Sequence, residues 1–81
     1  VKELTQSQEA VFEAFVHVGP MHDQRLLQEY NLRRKTCQWP PLSESGLRTR
    51  RSELVALDYL EASGETVTLP SGRQSIIWQI T

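Results

Sequence analysis

The residue types that can do covalent or metal chemistry are scarce in this chain. Cys37 is the only cysteine, and His17 and His22 are the only histidines. Three such residues at that spacing do not make a structural zinc site, which takes four ligands. A nucleophilic or redox role for Cys37 needs a nearby base and a lowered thiol pKa, and no pattern in the sequence supplies them, so a packing or loop cysteine is expected. There is no glycine-rich phosphate cradle, no helix with paired histidine ligands and no nucleophile elbow. Asp58 and Glu61 lie close together, as solvated acids at a helix end do. The expectation is a protein that is not an enzyme and uses no metal or cofactor. A single cysteine also excludes an internal disulfide and suits a reducing cytoplasm.

What does cluster is positive charge. The net charge is −1, but it is unevenly spread. Residues 1–32 set Lys2 and Arg25 against Glu3, Glu9, Glu13, Asp23 and Glu29, a net of −3. Residues 33–51 set Arg33, Arg34, Lys35, Arg48, Arg50 and Arg51 against Glu44 alone, a net of +5. Residues 52–81 set Arg73 against Glu53, Asp58, Glu61 and Glu65, again −3. A basic middle between acidic flanks is the local footprint expected of a surface that meets a polyanion.

The elements that must hold these cations follow from pattern and punctuation. With 81 residues, 38% hydrophobic and 23% charged, the chain is expected to form one domain, 1–81, with a small core. No apolar run reaches the ~20 residues of a membrane span. Thr5-Gln6-Ser7-Gln8 has the form of a capping box, and Val11, Phe12, Phe15, Val16 and Val18 recur behind it at helical spacing until Gly19-Pro20. A second helix is expected from about Asp23 to Tyr30, capped by His22 or Asp23, with Asn31 as a left-handed terminator. Met21 before it could form a one-residue strand. Residues 31–42 lack a period, and Pro40-Pro41 makes them a long connecting loop.

The third helix is expected over 43–58, with Ser43 as N-cap. At 100° per residue, Leu47, Leu54, Leu57 and Asp58 share one side, with Arg50 and Arg51 at its margins. Ser45, Arg48, Thr49, Ser52 and Ala56 share the other. From Leu60 the period changes to two: Leu60-Glu61-Ala62, a bend or bulge at Ser63-Gly64-Glu65, then Thr66 to Leu69. Pro70-Ser71-Gly72 reads as a turn, and Arg73 to Ile80 as the return strand with Ile76, Trp78 and Ile80 on one face. The predicted fold is therefore α+β, three helices followed by a two-stranded antiparallel hairpin, with a very short third strand near Met21. That order matches a winged helix-turn-helix.

The stretch from Ser43 to Leu54 (SESGLRTRRSEL), followed by Ser71-Gly72-Arg73-Gln74 and Trp78, resembles the small winged-helix domains of bacteriophage proteins. It is more distantly similar to the multiple-antibiotic-resistance-regulator type. The resemblance runs from Leu4 to Ile80, and its motif is moderately specific. It departs from the group at Asp58 or Tyr59, where a glycine is usual, and in the long 31–42 loop. It implies double-stranded DNA binding in a transcriptional or other DNA transaction, in a bacterial host cytoplasm, with the third helix in the major groove and the wing, 60–80, on the adjacent groove or backbone.

The outer face of the third helix has the short polar residues and cation that major-groove reading uses. Ser45, Arg48, Thr49 and Ser52 are the candidate base contacts, Arg48 first, as a bidentate partner of guanine. Ser43, Arg33, Arg34, Lys35, Arg50, Arg51 and Arg73 are the candidate backbone contacts. Arg50 and Arg51 are equally open to a structural role through their aliphatic stems. Trp39 either caps the core or is an exposed anchor for a protein partner. The alternative function is a winged helix used as a protein-interaction module or adaptor. A monomer or a weak homodimer is expected, because no further helices are present to build a large dimer interface.

Overall fold

The computed structural model describes residues 4–81. Three helices, α1 (Gln6–Val18), α2 (Asp23–Arg33) and α3 (Glu44–Ala56), precede an antiparallel hairpin of β1 (Leu60–Thr68) and β2 (Gln74–Ile80). This is an α+β layout consistent with a winged helix-turn-helix.

Each helix begins where a side chain caps it. The Thr5 hydroxyl accepts from the Gln8 amide while the Gln8 side chain accepts from the Thr5 amide, so both halves of the capping box form. His22 Nδ1 accepts from the Arg25 amide, and Ser43 Oγ accepts from the Gly46 amide. These bonds satisfy donors that the first helical turn leaves without partners. α1 stops at Gly19, whose φ of 101° turns the chain toward Pro20.

The other two helices end in one device. After α2, the Gln38 amide donates to the Lys35 carbonyl and the Trp39 amide to Arg34. After α3, the Asp58 amide donates to Val55 and the Tyr59 amide to Leu54. Each is a Schellman closure, with Gln38 (φ 56°) and Asp58 (φ 66°) in the left-handed position that glycine fills most easily. Asp58 therefore stands where the resemblance led one to expect glycine, and the helix end keeps the conformation that glycine would adopt.

This closure corrects the expectation of a long loop over 31–42. α2 continues past Tyr30 to Arg33, Asn31 is helical rather than a terminator, and residues 34–38 form turns. Leu32, which follows Asn31, lies within the helix but is exposed.

The core is built from the three helices and β1, with Trp78 of β2 partly buried against it. Ala10, Val11, Ala14, Phe15, Leu26, Tyr30, Leu47, Leu54 and Leu60 are buried, joined by Met21 and Trp39. Of the two roles open to Trp39, capping the core is the one adopted: its ring stacks on Tyr30 at 5.0 Å and its Nε1 donates to Glu13 at 2.8 Å. No exposed indole is left there to anchor a partner. Tyr30 in turn donates its hydroxyl to the Pro40 carbonyl at 2.5 Å, which fixes the approach to α3. Burial raises the Tyr30 pKa above its ordinary value, and the nearby Arg34 opposes that rise. Cys37 is half-buried and packs against this core.

The hairpin has the expected irregularity. Ala62 pairs with Trp78 and Thr66 with Ile76, so Ser63, Gly64 and Glu65 bulge opposite Ile77. Met21 exchanges two backbone hydrogen bonds with Trp78, at 2.8 and 3.0 Å, and forms the single-residue third strand. Of the apolar trio on β2, Trp78 packs against the core, whereas Ile76 and Ile80 are exposed. Val16, expected in the apolar stripe of α1, is also exposed. No helix among the described residues is long and apolar enough to cross a membrane.

Candidate nucleic-acid interface

α3 separates its residues as the 100° projection predicts up to Ala56, where the helix ends short of the expected 58. Leu57 and Asp58, projected onto the buried side, lie past that end, half-buried and exposed respectively. Leu47 and Leu54 are buried, while Ser45, Arg48, Thr49, Ser52 and Ala56 are all exposed. Thr49 donates its hydroxyl to the Ser45 carbonyl at 2.9 Å, a local bond that still leaves the oxygen as an acceptor. Ser43 Oγ, occupied as the cap, lies 3.3 Å from Ser45 Oγ. The four candidate base contacts thus share one open face.

Arg48 and the hairpin meet across a groove of about 440 Å³ lined by Asp23, Gln24, Leu27, Glu44, Arg48, Leu69 and Ser75. The groove joins the start of α2, the first half of α3 and the turn end of the hairpin. Within it Arg48 Nη2 donates to Glu44 Oε1 at 2.9 Å. Arg73, in the turn between the strands, is exposed, and its carbonyl accepts from the Leu69 amide at 2.7 Å. The outer face of α3 and the wing are therefore neighbours.

The other arginines of α3 are committed elsewhere. Arg51 makes a bidentate pair with Asp23, Nε to Oδ1 at 2.9 Å and Nη2 to Oδ2 at 3.0 Å. Its guanidinium carbon also lies 4.3 Å from the centroid of the Trp78 ring. With a side chain only 15% exposed, it ties α3 to the first turn of α2 and to β2, and the geometry removes it from the set of backbone-contact candidates. A guanidinium fork matched to a carboxylate and covering an indole face is a tertiary contact rather than a free cation. Arg50 Nε lies 2.9 Å from Glu53 Oε1, and Glu53 also accepts from Gln8 Nε2 at 3.0 Å. That chain connects α3 to the capping box of α1, so Arg50 too is turned toward the fold.

The basic run before α3 is not brought to the groove. Arg33 is the last residue of α2 and donates to Glu29 at 2.5 Å, with Arg34 and Lys35 in the turns that follow. The groove takes its α2 residues from the opposite end, and ten residues of helix separate Asp23 from Arg33 by about 15 Å. Among the described residues, Arg34, Lys35 and Arg73 have no ion-pair partner.

Sequence reasoning missed Asp23. Its pairing with Arg51 spans 28 positions and has no local signature. Glu44 was legible only as one negative charge in a basic stretch. Among the described residues, no group of three His, Cys, Asp or Glu side chains converges to hold a metal. Compared with known proteins, the chain matches no family model, no curated protein and no solved structure.

Proposed function

We propose that this domain binds double-stranded DNA through the outer face of α3, with the hairpin on the adjacent groove or backbone. The observation that carries the reading is the contrast within one helix. Ser45, Arg48, Thr49 and Ser52 are open to solvent beside the hairpin, while Arg50 and Arg51 are held by the fold. Short polar residues around one exposed arginine, paired only with the equally exposed Glu44, suit the major groove, where a bidentate arginine–guanine contact contributes about 1–3 kcal/mol of discrimination. Ser43 and Arg73 are the proposed backbone contacts nearest that face. Arg34 and Lys35, about 15 Å along α2 from the groove, lie beyond a Debye length at physiological salt, so they contribute little at that face. A regulator of transcription or of another DNA transaction, of bacteriophage or bacterial origin and working in the bacterial cytoplasm, is the setting that this reading favours.

A salt titration tests it. Anisotropy of a labelled random duplex of about 20 base pairs is followed between about 50 and 200 mM salt, where log K falls by about 0.9 per decade for each phosphate neutralised. Arg73→Ala, at a proposed backbone contact, is expected to weaken binding and reduce that slope by about one phosphate's worth. Absence of binding by the unmodified domain at the lowest salt refutes the proposal.

A second reading, a winged helix used for protein contact or self-association, draws on a different observation. Leu32 is 74% exposed and Val16 58% exposed, on α2 and α1. Sedimentation across a concentration series separates the two: a dimer that forms without DNA and is lost in Leu32→Ser favours the second.

A further inference from the structure

Glu44 sits in the first turn of α3, on the surface that the DNA reading turns toward phosphate. A carboxylate there repels every duplex, so it weakens binding unless it contributes something else. Its surroundings are specific. Glu44 Oε1 accepts from Arg48 Nη2 at 2.9 Å, and the two side chains, 64% and 56% exposed, line the groove shared with Leu69 and Ser75. Asp23, the other acid of that groove, has both oxygens engaged by Arg51. Glu44 is left with an acceptor oxygen, and Arg48 with unused donors, side by side on one face.

The two side chains also have a matching spacing. Four residues of α-helix advance about 6 Å, against about 3.4 Å for each base step. They can therefore address base pairs one or two steps apart. In the major groove guanine presents the O6 and N7 acceptors, and cytosine presents its N4 amino group as a donor with no acceptor on the same base edge. Adenine also offers an amino donor, but next to its N7 acceptor, which repels a carboxylate.

We propose that Glu44 and Arg48 read DNA as a unit, Arg48 on guanine O6 and N7 and Glu44 on the N4 amino group of a cytosine one or two base pairs away. The inference rests on the DNA-binding reading of α3. Glu44 then trades general affinity for selectivity. It neutralises Arg48 and repels phosphate on most sequences, and it becomes favourable only where an amino donor faces it.

The test is a selection from duplexes with a randomised core, using the intact domain, Glu44→Ala and Arg48→Ala, with anisotropy on the random duplex in parallel. The unmodified domain is expected to enrich guanine and cytosine one or two positions apart. Glu44→Ala is expected to bind the random duplex severalfold more tightly, to keep the guanine preference and to lose about tenfold in preference at the cytosine position. Thermal melting of Glu44→Ala, at an exposed site, checks that the fold is intact. Unchanged base preferences in Glu44→Ala, with the unmodified domain binding, overturn this inference and leave the DNA reading standing. Failure of the unmodified domain to bind any duplex overturns both.

Discussion

Arg48 and Arg51 lie three residues apart on the same helix, with the same charge and the same side chain. Arg48 points outward and meets only Glu44, four residues away and itself exposed. Arg51 points toward α2 and β2, where Asp23 takes both arms of its fork and Trp78 lies against its face. The difference comes from which neighbours the fold brings to each position. A basic stretch in a sequence therefore overstates the positive surface available to a partner, because part of it is spent on joining elements. Here the joining arginine sets the relation between α3 and the hairpin, and the outward one faces whatever that arrangement is for.

The comparison is sharpest in stability. Arg51→Ala strands a partly buried Asp23 carboxylate and uncovers Trp78, and is expected to cost about 2–4 kcal/mol. At this chain length each kcal/mol lowers Tm by roughly 4–8 °C. Denaturant melts followed by tryptophan fluorescence should show the loss, and Asp23→Ala should show one of similar size. A smaller effect arises at Tyr30. Tyr30→Phe removes the bond to the Pro40 carbonyl and is expected to cost about 1 kcal/mol.

Tyr30 also gives a pH signature. Its folded pKa is raised, chiefly by burial, so the unfolded chain releases the phenolic proton first as pH rises. The stability linked to Tyr30 is full below its unfolded pKa of about 10 and is lost as pH rises through the folded value. Melts at high pH should show this loss in the parent and not in Tyr30→Phe.

Smaller again, and opposite in sign, is the expected effect of relieving the two left-handed residues. Gln38→Gly and Asp58→Gly remove a Cβ from positive φ at Schellman closures and should each stabilise by about 0.5–1 kcal/mol. Arg48→Ala closes the series. An exposed i,i+4 pair contributes little, so its effect on thermal unfolding should stay within about 0.5 kcal/mol. If Arg48→Ala costs as much as Arg51→Ala, the distinction between outward and joining arginines fails.

Most of the architecture was readable because local rules act on neighbouring residues. Thr5 and Gln8, Ser43 and Gly46, and the Ser63-Gly64-Glu65 bulge each concern a few adjacent positions, and the outer face of α3 follows from a fixed angle per residue. The 31–42 segment was misread because Gln38 holds a left-handed conformation that propensity assigns to glycine or asparagine, so nothing local announced a closure beside Trp39. Ile76 and Ile80 were expected to pack with Trp78, yet period two tells which residues share a face and not how far the helices cover it. The roles of Arg50 and Arg51 stayed open in the sequence because their partners, Glu53 with Gln8 and Asp23 with Trp78, are assembled by tertiary structure. The candidate face itself was legible; the division of its arginines was not.

The most direct test of DNA binding by α3 is a map of backbone amide shifts on adding a short duplex to the isotopically labelled domain. The account predicts that the largest shifts fall in 43–52 and at the hairpin turn around Arg73, with Leu32 and Val16 unmoved. Shifts centred on Leu32, Val16, Ile76 and Ile80, or none at any duplex concentration, would contradict it.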